Sequence, residues 1–155
     1  MRKILIKIIS YWLSINQSLL QRYYIALLSC PSNVTFLGKI KLYNPGKISI
    51  GSAVRFNDGV FLNIGKGLII EDNVTISANV FITDTTSDTN LLPEHVHVRE
   101  PVLIKKNAWI GAGAIILPGV TVGEGCVIAA GAVLSQSTNN KEVWVGNPAR
   151  KAGNL

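Results

Sequence analysis

IKKNAWIGAGAIILPGVTVGEGCVIAAGAVL, residues 104–134, carries an aliphatic residue every six positions: Ile104, Ile110, Ile116, Val122, Ile128 and Leu134. Four residues after each stands something small or thin, in Ala108, Ala114, Val120, Cys126 and Ala132, with Thr138 beyond. Glycine or alanine often fills the place after the aliphatic, as at Gly111, Gly123 and Ala129. A period of six matches neither a helix at 3.6 nor a lone amphipathic strand at 2. It fits a solenoid whose flat sides are each one hexad long, so that one aliphatic per side points into a continuous stacked core. The small position falls near the bend, where a large side chain would not fit.

The same register extends backward. It recurs at Ile50, Phe56 and Leu62, slips by two residues around Gly65–Lys66–Gly67, and resumes at Ile70, Ile76 and Ile82. Three hexads close one turn if the cross-section is triangular. Coils then begin at Ile50, Ile70, Ile104 and Val122, and equivalent residues stack in three columns. These are Ile50/Ile70/Ile104/Val122, Phe56/Ile76/Ile110/Ile128 and Leu62/Ile82/Ile116/Leu134. Val34 and Ile40 read as a degenerate leading coil. The interruptions fall at coil junctions rather than inside sides, as a stacked core demands.

The totals agree with one such domain. At 155 residues the chain is long enough for a substantial core. Apolar residues make up 48% and charged residues 15%, which suits a solenoid that also buries surface against copies of itself. The formal charge is +6, and residues 1–30 hold Arg2, Lys3, Lys7 and Arg22 with no acid. That concentration suits an anionic ligand or surface and carries no nucleic-acid signature. Cys30 and Cys126 have no metal-ligand spacing, so a reduced, cytoplasmic protein is expected.

Residues 1–30 read as an amphipathic helix or helix pair. Ile4, Leu5, Ile8, Ile9, Trp12 and Leu13 recur at helical spacing, and Leu19, Leu20, Tyr23, Tyr24, Leu27 and Leu28 resume it after Asn16–Gln17. Asn16, Gln17, Gln21 and Arg22 interrupt the apolar run, which argues against a signal peptide and against a membrane span. Two placements fit: a cap on the exposed edge of the first coil, or a peripheral contact with the inner membrane. Pro31–Ser32–Asn33 ends the helix, and residues 31–155 form the solenoid domain.

Between residues 87 and 103 the register is lost. This inserted loop holds both histidines of the chain, His95 and His97, with Glu94, Arg99 and Glu100. A long loop on a repetitive scaffold is usually functional. Four further motifs, Asn107-Ala-Trp-Ile-Gly111, Ile116-Leu-Pro-Gly-Val120, Val127-Ile-Ala-Ala-Gly-Ala-Val133 and Val145-Gly-Asn-Pro-Ala-Arg150, resemble those of the hexapeptide-repeat acyltransferases. The likeness covers residues 34–150 and is strongest to the sugar and polysaccharide O-acetyltransferases. It implies an all-β fold, a left-handed parallel β-helix, behind the amino-terminal helical segment.

The resemblance also implies a chemistry. Such enzymes are usually homotrimers with active sites in the clefts between β-helices, and acetyl-CoA lies along the later coils. On that basis Gly111, Ala112, Ala129, Ala130, Ser135 and Gln136 are expected beside the cofactor, with Arg150 and Lys151 toward its phosphates. Asn57 and Trp109 are expected at the acceptor; a turn role for Asn57 and an interface role for Trp109 stand beside these. The implied activity is acetylation of a sugar hydroxyl, on a bacterial surface polysaccharide or its precursor.

One departure bears on the mechanism. Relatives carry a catalytic histidine close behind the second of these coils, where this chain reads Ile82-Thr-Asp-Thr-Thr-Ser-Asp88, with Thr85 or Ser87 in the histidine's place. Three readings follow. His95 or His97 folds back as general base, oriented or replaced by Asp84 or Asp88; or the acceptor is an amino sugar whose nitrogen needs no protein base; or the β-helix is catalytically degenerate and serves binding or assembly. A metal is not expected, because the family's metal-using carbonic anhydrases need three histidines per site and this chain has two.

Overall fold

Buried aliphatics six residues apart need flat sides joined by tight bends, and the computed structural model, which describes residues 16–88, 94 and 96–155, has that form. It is a parallel β-solenoid of about five turns with one amino-terminal helix. Among the described residues the strands, two to five residues long, lie in three sheets of seven, five and four strands and a separate two-stranded ribbon. All three expected columns are present: Ile50 pairs Ile70, Ile70 pairs Ile104, and Ile104 pairs Val122. Phe56, Ile76, Ile110 and Ile128 form the second, and Leu62, Ile82, Ile116 and Leu134 the third. Apart from Ile50, at 8% exposure, every member of these columns is 0–1% exposed. Each such side chain stabilises the fold by about 1.5–3 kcal/mol relative to leaving it in water.

The leading coil sits two residues later than the aliphatic spacing suggests. Phe36 pairs Phe56 and Leu42 pairs Leu62, so Phe36 and Leu42 hold the column places. Val34 and Ile40 are buried at the thinner position beside the bend, as Val54 and Val60 are one coil on. An aromatic, Phe36, holds the first column place. Its ring is favoured there because it stacks on Phe56, centroids 5.1 Å apart and nearly parallel.

The bends have their own period of six. Asn73, Asn79, Asn107, Gly113, Gly119, Gly125 and Gly131 all have positive φ, between 57° and 75°. Each stands immediately before a buried thin residue such as Val74, Val80 or Ala108. Glycine meets no steric penalty there and asparagine little, so these residue types set the corners.

The helix, residues 16–28, ends two residues short of the expected boundary and caps the first coil. The Gln21 side chain donates to the Val34 carbonyl and accepts from the Phe36 N–H at 2.7 Å. Gln17 donates to the Phe36 carbonyl, and the Tyr24 hydroxyl donates to the Ile40 carbonyl at 2.9 Å while accepting from the Ile40 N–H at 3.0 Å. The open β-edge thus has partners for groups that would otherwise be left bare. Residues 1–15 lie outside the described residues. Among the described residues no helix is long and apolar enough to cross a membrane.

Candidate active site

The two register breaks meet at one buried carboxylate. Asp84 follows the last column residue of its coil, Ile82, and is fully buried. One of its oxygens accepts from the Gly65 N–H at 2.7 Å and from the Thr85 hydroxyl at 2.9 Å. The other accepts from the N–H groups of Lys66 at 2.6 Å and Gly67 at 2.8 Å. Burial pushes this carboxyl up, but the three backbone donors and the Thr85 hydroxyl outweigh it and hold the group below the usual carboxylate range. The extra residues at Gly65–Gly67 therefore form a small anion nest around Asp84.

Past Asp84 the chain leaves the solenoid as an antiparallel ribbon. Thr85–Ser87 pairs with His97–Arg99, so the inserted loop is structured at both ends, and Val102 is already back in register with Leu68. The pairs are His97 with Ser87, Val98 with Thr86, and Arg99 with Thr85. Backbone bonds from Asp88 to Val96 and from Glu100 to Asp84, both 2.9 Å, fix the alternation. His97/Ser87 and Arg99/Thr85 are then the non-hydrogen-bonded pairs, in which side chains approach most closely. By the same alternation all four point to one side of the ribbon.

That side opens on a pocket of about 400 Å³ where the five-stranded sheet turns into the four-stranded one. Tyr43, Asn44, Asn63, Thr85, His97 and Arg99 line it, over Gly65. A Cβ at Gly65 would lie 2.6 Å from the Arg99 Nε and 3.1 Å from the Thr85 hydroxyl, so the glycine gives the arginine room to lie across the corner. A groove of about 750 Å³ under the helix is larger, but among the described residues Lys39, Asp58 and Tyr23 are the ionisable groups that line it, with no histidine.

Of the expected catalytic residues, the structure brings His97 to this pocket and Asp84 beneath it. Asp88 anchors the ribbon through its backbone, and His95 lies outside the described residues. Asn57 and Trp109 stand elsewhere, on the seven-stranded sheet and the corner that follows it. Trp109 is 54% exposed and donates from its indole N–H to the Ser77 hydroxyl at 3.0 Å. Gly111 is buried, with its N–H on the Ile128 carbonyl at 2.7 Å, while Ala112 and Ala130 are exposed on the outer face and Ala129 is half-buried. Ser135 and Gln136 are exposed on the last coil. Arg150 is exposed and donates to the Ala149 carbonyl at 2.8 Å, whereas the Lys151 ammonium pairs with the buried Glu142 at 2.7 Å.

Nothing in the repeat pattern marks Asn44 or Arg99 as a site residue, and Tyr43 and Asn63 are outside the expected set. A signal for the latter two was present. Tyr43, Asn63 and Thr83 are register mates on successive coils, spaced by twenty residues, and mark one polar column at the end of one side. Asn44 follows Tyr43 into the bend, and Arg99 depends on a ribbon pairing that no repeat encodes.

Comparison with known proteins agrees with this architecture. Residues 101–136 match the bacterial transferase hexapeptide model (six repeats), and residues 59–84 match the hexapeptide repeat of succinyl-transferase. The galactoside O-acetyltransferase of Lactococcus lactis is 31% identical over 106 residues, covering 63% of this chain and 51% of that protein. The crystal structure of a hexapeptide-repeat-containing acetyltransferase of Vibrio cholerae, complexed with acetyl coenzyme A, superposes with a TM-score of 0.69 at 26% identity. That match covers 77% of this chain and 70% of the other. A maltose O-acetyltransferase from Clostridium difficile gives 0.68 at 29% identity, over 79% and 66%. The chain carries the hexapeptide repeats of these transferases at residues 59–84 and 101–136 and resembles their acetyltransferases in sequence and in its parallel β-solenoid. It spans about half the length of the curated relatives it matches.

Proposed function

We propose that this chain is an acetyl-CoA-dependent acetyltransferase acting on a sugar hydroxyl, with His97 as general base. The observation that carries this is the ribbon pairing of His97 with Ser87. It sets an imidazole beside Ser87, one of the two residues that stand in the chain where relatives carry the histidine. The acceptor oxygen attacks the thioester carbonyl while an imidazole nitrogen takes its proton; the C–O bond forms and the C–S bond breaks. The imidazolium then protonates the departing thiolate, giving the ester and free coenzyme A. The thioester is already activated, so most of the protein's task is orientation.

The later coils suit the donor. Ala112, Gly113, Ala130 and Gly131 are exposed there, and a Cβ added at either glycine would meet nothing within 4 Å. That flat, small-residue face admits an extended pantetheine arm, with Ser135, Gln136 and Arg150 exposed beyond it. Asn57 and Trp109 lie outside the His97 pocket of their own chain. They complete the acceptor site from a neighbouring copy, in a homotrimer. Lys151 contributes to the coenzyme only in so far as Glu142 releases it.

The test is release of coenzyme A thiol together with a mass gain of one acetyl group when purified protein is offered a glycan panel. His97→Ala should lower turnover by about 10²–10⁴-fold, with the unfolding midpoint and assembly mass unchanged. Undiminished turnover in that variant removes His97 as base; thiol release with no acetylated glycan removes the sugar acceptor.

A further inference from the structure

Among the described residues, Arg99 is a cation in the pocket without an anion. Among the described residues the ion pairs are Lys106–Glu124 and Lys151–Glu142, and Arg99 takes part in neither. The carboxylates near it in the chain are otherwise disposed. Asp84 has its lone pairs committed to Gly65, Lys66, Gly67 and Thr85. Glu100, next in sequence, turns to the opposite side, where its Oε2 would lie 2.3 Å from a Cβ placed on Gly119. Glu94 is exposed at the far end of the ribbon, and Asp88 alternates to the face opposite Ser87. Among the described residues no side chain lining the pocket is acidic.

The arginine is also held in place. Its backbone is locked opposite Thr85, and its Nε and Cδ lie close over Gly65. Two residues along the same strand stands His97, so guanidinium and imidazole project from one face of the ribbon at fixed separation. A guanidinium presents paired N–H donors that match a carboxylate or a phosphate better than a hydroxyl.

We propose, building on the reading of His97 as base, that the acceptor is an anionic sugar. Arg99 binds its carboxylate or phosphate and so sets which hydroxyl reaches His97. The shared chemistry is a pair of anionic oxygens on a pyranose, supplied either by a uronic acid or by a sugar phosphate. Arg99 thereby fixes specificity while taking no part in bond making.

The experiment separates this inference from the proposed activity because it begins with binding. Equilibrium affinity of the full chain, without acetyl-CoA, is measured by calorimetry for methyl glucoside, methyl glucuronide and glucose 6-phosphate. At least one anionic sugar should bind about tenfold to a hundredfold more tightly than the neutral one, and which one identifies the source of the charge. Arg99→Ala should abolish that preference and Arg99→Lys should retain part of it. Lys66→Ala, which removes a neighbouring cation, should leave the preference intact. Equal affinities in the parent protein overturn the proposal, as does a preference that survives Arg99→Ala or vanishes equally in Lys66→Ala. A rise in KM for acetyl-CoA in Arg99→Ala, with sugar affinity unchanged, would reassign the arginine to the donor and also overturn it. Tight anion-selective binding with no acetyl transfer would support Arg99's role and defeat the activity instead.

Discussion

Four donors converge on the Asp84 carboxylate, and this convergence sets where the ribbon leaves the solenoid. With its lone pairs engaged the group is better suited to holding the nest than to accepting a proton, and it fixes the root of the ribbon that carries His97. Because its folded pKa is depressed, its contribution is present above the unfolded value near 3.8 and is lost as pH falls through the lower folded value. Asp84→Ala leaves three backbone N–H groups without their acceptor, at about 1–3 kcal/mol each when buried. The expected result is a loss of about 3 kcal/mol in denaturant unfolding, with KM for acetyl-CoA unaffected in the residual activity. A variant as stable as the parent would show that solvent replaces the carboxylate. The sequence offered Asp84 only as one of two acids near a missing histidine. Its partners come from a break one coil earlier, and a contact between two irregularities leaves no periodic trace.

The repeats end in two different elements, and each was legible in a different way. At the first coil, the apolar spacing of Leu20, Tyr24 and Leu28 reveals the helix, while Gln17 and Gln21 read only as polar interruptions. Their role as partners for β-edge groups becomes visible once the edge itself is placed. At the last coil, the strand Glu142–Val145 folds back on Arg150–Asn154 and closes over Glu142. The Lys151 ammonium beside it, then the Trp144 indole N–H and Asn139, hold its carboxyl down at about 2 against 4.5 for a free group. The shift is downward, so its stabilisation is fully present above pH 4.5 and disappears as pH falls toward 2. Thermal unfolding midpoints of the parent should therefore drop more steeply across that window than those of Glu142→Gln. Parallel curves would show that the ion pair contributes nothing measurable. Lys151, expected from the resemblance beside cofactor phosphates, thus holds the last coil closed through Glu142.

Across the whole molecule the three columns were readable because stacking imposes one residue type at one spacing for several turns. The corners carried a second code of asparagine and glycine, one residue ahead of most thin positions, with Ala53 taking the same backbone form before Val54. The site was legible only in part, because it is built where the code stops: at Gly65–Gly67, at Asp84, and along a ribbon whose strands pair with each other rather than with a coil. The core nevertheless reaches it. Ile82 stacks between Leu62 and Ile116 and is followed within two residues by Asp84, whereas Ile110 stacks between Ile76 and Ile128 on another side. Both are fully buried, so Ile82→Ala and Ile110→Ala should each cost about 2–5 kcal/mol through lost transfer energy and the cavity left behind. Their effects on turnover should differ. Slack beneath Asp84 loosens the nest and the ribbon that aims His97, and a displacement of about 1 Å can cost about 10²-fold in rate. Slack under Ile110 opens on another side of the solenoid, away from the nest and the ribbon. Measured well below either variant's unfolding midpoint, Ile82→Ala should lose at least tenfold more turnover than Ile110→Ala. Equal losses would mean that the position of His97 is governed by global stability and owes nothing to the coil from which its ribbon springs.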